Sequence, residues 1–175
     1  MSHPALIVFA CFASVLLLYI AHIARKHRQK LKQDSEALQA QLDKQVQSLQ
    51  AEGVTLDAEA LEGRSLKNQL WQSLQQAHQA GFDSNPRKGA AGGRLTALQQ
   101  ADCDALMATL TELAPRCPET EQRWQLYRAL LGQAAQLGGF AYWDLRGSEK
   151  QARKGREGLE AQRRAMAERL AALTE

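Results

Sequence analysis

Isoleucine disappears from this 175-residue chain after Ile23, and only two valines, Val46 and Val54, follow it. A β-sheet relies on β-branched side chains that pack well on a pleated, half-buried surface, so their scarcity after residue 24 argues against any sheet protein. In their place stand 29 alanines, 26 leucines and 20 glutamines. These residues give up little side-chain freedom on entering a helix. The expected fold is all-α: a single N-terminal transmembrane helix, a short coiled-coil-like stalk, and a small cytoplasmic helical bundle with a basic C-terminal helix.

The formal charge of +3 conceals a strong pattern. Residues 1–24 contain no Lys, Arg, Asp or Glu, whereas residues 25–32 hold five bases and no acid. Residues 33–145 carry 9 bases against 14 acids, and residues 146–175 carry 8 against 5. The expected divisions are a short outer N-terminus (1–4), a span (5–24), a basic collar and helical stalk (25–52), a helical domain (53–147) with a loop at 82–94, and an amphipathic basic helix (148–175).

Ala5 to Ala24 reads ALIVFACFASVLLLYIAHIA, and as a helix it would extend about 30 Å, enough for the hydrocarbon core of a bilayer. A cleaved signal peptide would want a positive n-region, and the residues before the apolar run supply none from a Lys or Arg side chain. Basic residues flanking a span stay in the cytoplasm. The collar Arg25, Lys26, Arg28, Lys30 and Lys32 therefore places the N-terminus outside and the C-terminal domain inside a bacterial inner membrane. Each collar residue near the surface attracts anionic lipid by about 1 kcal/mol.

Along the stalk, Leu31 and Leu38 are spaced as one heptad, as are Leu42 and Leu49. These four leucines serve either as the seam of a parallel homo-oligomer or as the face of one helix folded onto the C-terminal domain. Gly53 is expected to interrupt the helix. Further helices are expected at about 57–80, weakened at Gly63; from Thr96, with Gln99 at capping-box spacing, to Leu113; from Pro118 to about Leu137, closed by Gly138-Gly139; and from Ser148 to Leu173.

Few residues point to chemistry. The loop segment GAAGGRL lacks the strand and the GxxxxGK[ST] pattern of a nucleotide-binding loop. Cys11, Cys103 and Cys117 are widely separated and form no CxxC; a reducing compartment would keep them as thiols. His78, the one histidine within the helical domain, reads as a surface or packed helix residue. No catalytic, cofactor-binding or metal-ligating residues are assigned, and no cofactor is expected.

Two groups suggest contact surfaces instead. Phe140, Tyr142 and Trp143 fall within four positions, either plugging the bundle or forming a partner-docking patch. Arg153, Arg156, Arg163 and Arg164 could form an anion-binding face, although interspersed acids equally suit a solvated helix face. The expected function is a non-enzymatic membrane-anchored scaffold, adaptor or accessory subunit that holds an unidentified protein partner and can form a homo-oligomer. The alternative is a membrane-tethered nucleic-acid binder using the C-terminal helix. The third reading is an enzyme.

Overall fold

The structure, a computed structural model, describes residues 3–85 and 92–173, and the side chains of 12–85 and 93–173. The fold is all-α, with no strand among the described residues. Its helices are α1 (His3–Ala51), α2 (Ala58–Leu61), α3 (Arg64–Asp83), α4 (Gly92–Leu113), α5 (Thr120–Leu145) and α6 (Glu149–Ala172), with a 3₁₀ turn at Ala114–Arg116. The chain divides into two units, Met1–Ala37 and Leu38–Glu175.

In the first unit, every described side chain except Ala13 is exposed. Among the described residues, no helix is long and apolar enough to cross a membrane. The apolar stretch with described side chains covers only 12–24, about 20 Å of helix, and the side chains of the remainder of the expected span, 5–11, lie outside the described residues.

The second unit holds the hydrophobic core. Leu42, Val46 and Leu49 of α1 bury there with Leu70 and Leu74 of α3, Leu106 and Leu110 of α4, Tyr127, Leu130 and Leu131 of α5, and Leu159 of α6. Leu42 and Leu49 are thus committed to the chain's own core, which removes them from the expected oligomer seam. The reason is register: Leu42, Val46 and Leu49 follow one another at helical spacing, so the two heptad leucines share a face with a valine that is itself fully buried.

Helix ends depart from expectation in instructive ways. Gly53, with φ +72°, closes α1 as anticipated. Its N–H reaches the Gln50 carbonyl at 3.1 Å and the next N–H, of Val54, reaches Leu49 at 3.2 Å, a Schellman pattern. The expected stop at Gly138-Gly139 does not occur; α5 continues to Leu145 and ends at Gly147, with φ +76°. There the Ser148 N–H donates to the Trp143 carbonyl at 3.0 Å. A glycine ends a helix where the backbone turns left-handed, and Gly138 does not do so. Its role is packing: a β-carbon there would fall on the His78 carbonyl oxygen, so the missing side chain lets α3 and α5 approach.

Three other boundaries shift. α4 begins at Gly92, so Thr96 lies inside the helix and forms no capping box. α3 extends to Asp83, and the expected loop 82–94 shrinks from both sides, with 86–91 outside the described residues. Pro118 precedes the N-cap Glu119 rather than occupying the first turn of α5.

α3 and α5 run side by side in the same direction: Tyr127 Oη donates to the Leu70 carbonyl at 3.4 Å near their starts, and Gly138 meets His78 further along. α4 runs antiparallel to both. Arg94 at its start pairs with Asp144 at the end of α5 at 3.0 Å, and Asp104 accepts from Trp71 Nε1 at 3.0 Å. α6 returns along α5, with the Phe140 ring seated where a side chain at Gly155 would be. Arg123 anchors the segment before α2, donating to the Cys117 carbonyl at 2.7 Å and the Leu56 carbonyl at 3.0 Å, and pairing with Asp57.

Candidate functional site

The most chemically distinctive place in the second unit is where α3, α4 and α6 meet around one carboxylate. His78 sits on the face of α3 that carries Leu70, Leu74 and Ala77, and it is completely buried. Its Nε2 lies 3.0 Å from Asp102 Oδ2 on α4. The other carboxylate oxygen, Oδ1, accepts from Arg156 Nη1 of α6 at 2.5 Å. The Asp102 side chain is 12% exposed and that of Arg156 24%. A charge this far from water persists when it is paired and hydrogen-bonded, and Asp102 is both.

Two atoms of this network find no partner among the described residues: His78 Nδ1 and Arg156 Nη2 are buried without a hydrogen bond there. Beside it, Cys103 is fully buried, and burial pushes its thiol up to about 12, with the Asp102 and Asp104 carboxylates adding to the effect. At neutral pH that sulfur is an unreactive apolar group. Burial also raises the Cys117 thiol, against an opposing pull from Arg123. The Tyr127 phenol is raised by burial too, partly offset by a hydrogen bond with Ser73. No group of three or more potential metal ligands occurs among the described residues.

An open cleft of about 500 Å³ runs between α4 and α6, bordered by Ala105, Thr109, Glu112, Glu160, Arg163 and Arg164. Its rim carries both signs of charge, so it does not present a uniform field to an anion. Neither His78 nor Asp102 lines this cleft. Through Asp102 the network ties three helices together, α3 by His78 and α6 by Arg156.

The residues singled out from sequence fall as follows. The collar residues Arg25, Lys26, Arg28, Lys30 and Lys32 are all exposed, with Lys32 3.8 Å from Glu36. Of the seam residues, Leu31 is 57% exposed and Leu38 half-buried, whereas Leu42 and Leu49 are buried. In the aromatic group, Tyr142 is buried and packs edge-on against Phe82 at 6.0 Å and Trp143 at 5.4 Å between ring centroids. Phe140 is half-buried against the core, which leaves Trp143, at 37% exposure, as the accessible edge of the group.

The four arginines do not form one surface. Arg156 turns inward to Asp102, Arg153 pairs with Glu157 on its own helix at 3.6 Å, and Arg163 is half-buried, its Nε enclosed without a hydrogen bond among the described residues. Arg164 is exposed. Sequence reasoning missed the tie among His78, Asp102 and Arg156. The one available signal was His78 continuing the apolar stripe of α3, which marks a histidine requiring a buried partner.

Compared with protein-family models, curated proteins and solved structures, the chain matches none of them.

Proposed function

We propose that the chain is a non-enzymatic, single-pass anchored scaffold, adaptor or accessory subunit of a bacterial inner membrane, presenting its helical domain to protein partners in the cytoplasm. The observation that carries this reading is the exposure of Val15, Leu16, Leu17, Leu18, Tyr19 and Ile20, each between 53% and 71%. Successive helical residues are turned by 100°, so six in a row encircle the helix completely. A partner groove needs one apolar stripe, whereas an apolar circumference suits lipid on all sides.

The exposed basic collar that follows gives the orientation, with the N-terminus outside, and a favourable site for anionic lipid headgroups. The buried core of the second unit supplies a folded surface for a partner or for a second copy of the chain. Nucleic-acid binding through α6 is less favoured, because Arg153 and Arg156 already have carboxylate partners.

The experiment is membrane fractionation with reporter fusions. The full chain should resist alkaline carbonate extraction, and a C-terminal reporter should be active only in the cytoplasm. Release into the soluble fraction, or activity only outside, would refute the anchor or its orientation respectively. Crosslinking in native membranes should then trap a protein neighbour, and a chain that stays alone would count against the scaffold. Salt-sensitive retention of DNA or RNA by residues 33–175 would favour the nucleic-acid reading instead.

A further inference from the structure

We propose that the cleft between α4 and α6 receives a carboxylate side chain, Asp or Glu, from a short segment of a protein partner, with Arg163 as its anchor. The proposal deepens the scaffold reading above and rests on it for the kind of partner. α4 and α6 both run opposite to α5, and so parallel to each other. Where they meet, Asp102 of α4 accepts from Arg156 of α6. Seven residues further along each helix stand Thr109 and Arg163, and both border the cleft. Seven residues make two helical turns to within about 20°, so the same two faces meet again one step on. All four residues are half-buried.

The second step lacks its acid. Thr109 turns its hydroxyl back to the Ala105 carbonyl at 2.9 Å, and Arg163 makes no hydrogen bond or ion pair among the described residues. The Arg163 Nε is enclosed, while the residue as a whole borders the cleft. A planar fork held at one end is preorganised for two parallel bonds to a carboxylate. Neither nearby acid fills the place: Glu112 pairs with Arg116 at 3.5 Å, and Glu160 forms no ion pair among the described residues. An incoming carboxylate would stand to Arg163 as Asp102 stands to Arg156.

The cleft also limits its occupant. From Ala105 to Leu113 its α4 wall is about 12 Å long, room for about three or four extended residues. Ala105 and Ala167 offer apolar contact beside the arginines. Glu112 and Glu160 on the same rim repel a chain of phosphates, so one carboxylate on a neutral segment fits where a nucleic acid does not.

Backbone amide spectra of the full chain in detergent micelles test this. The probe is the blocked tripeptide acetyl-Ala-Glu-Ala-amide, compared with its Gln counterpart and with inorganic phosphate. Signals of residues 105–113 and 160–167 should shift saturably with the Glu peptide, at an affinity roughly tenfold above the Gln peptide's, because a charge-assisted bond is lost in the latter. Arg163→Gln should abolish the response, and Arg169→Gln, at an exposed position outside the cleft, should retain it. Thr109→Asp supplies the missing acid from within, and should both block the peptide and raise the thermal midpoint. No saturable shift, equal affinity for the Gln peptide, tighter binding of phosphate, or a Thr109→Asp chain that still binds overturns the proposal. Should Arg163→Gln fail to fold, Thr109→Asp decides: lost binding supports the site and retained binding overturns it. Release by carbonate would refute the anchor and leave this binding in place, so the two readings fail separately.

Discussion

Gly81 on α3 and Ala135 on α5 meet backbone to backbone: a β-carbon at position 81 would fall on the Ala135 carbonyl oxygen and lie 2.8 Å from its Cα. Gly138 makes the reciprocal approach to His78. The pair brings α3 and α5 together.

Gly81→Ala and Gly138→Ala should each destabilise the domain by about 1–3 kcal/mol, because backbone rather than a flexible side chain must move. Gly132 and Gly139, where a β-carbon would meet nothing within 4 Å, make the control. Alanine at either should stabilise by about 0.5–1 kcal/mol through helix propensity. Urea unfolding followed by far-ultraviolet circular dichroism compares the four; similar effects at all of them would disprove the close crossing.

Stability should fall on the alkaline side through Cys103. Burial raises its thiol from an ordinary 9.0 to about 12, so the unfolded chain releases the proton first. The contribution is therefore fully present below pH 9.0 and is lost as pH rises toward about 12. Tyr127, raised from 10.0 by burial, adds a loss with the same sign above that pH. Thermal midpoints measured across this range should decline less steeply in Cys103→Ala than in the wild type. An unchanged slope would place the alkaline sensitivity elsewhere.

Removing the first unit should leave the second folded. A chain beginning at Leu38 retains Leu42, Val46 and Leu49 in the core, whereas one beginning at Gly53 lacks all three. Losing three buried aliphatic side chains should cost on the order of 5 kcal/mol. Leu31→Ala, at a position 57% exposed, should alter the unfolding midpoint little. Equal stability of the two truncated chains would contradict the buried placement of the lower half of α1.

Tyr142 and Trp143 should separate folding from contact. Tyr142→Ala removes a buried ring that packs on Phe82 and Trp143, and should cost about 3–5 kcal/mol. Trp143, at 37% exposure, should cost less than about 2 kcal/mol on truncation. Crosslinking in membranes that loses a partner in Trp143→Ala, with thermal unfolding unchanged, would assign the exposed indole edge to docking; loss of folding instead would assign it to the core.

Much of the secondary structure was legible because helix formation depends on near neighbours. Gly53 ended α1 where its position suggested, and the start of α6 fell at Ser148. The reading of Gly138-Gly139 as a stop failed because identity alone cannot distinguish a left-handed terminus from a close helix crossing. Leu42 and Leu49 were ambiguous for a related reason: a heptad spacing describes a face, and a face can turn toward another chain or toward its own.

The sequence by itself determined the all-α class, the apolar run before a basic collar, and most helix positions. Each follows from composition and spacing over a few turns. Only the tertiary structure decided that His78, Asp102 and Arg156 share one buried site. They are separated along the chain by 24 and 54 positions, and the packing of α3, α4 and α6 brings them together. Local periodicity could mark each as facing inward or outward. It could not say which charge each would meet, because that depends on how α3, α4 and α6 pack against one another.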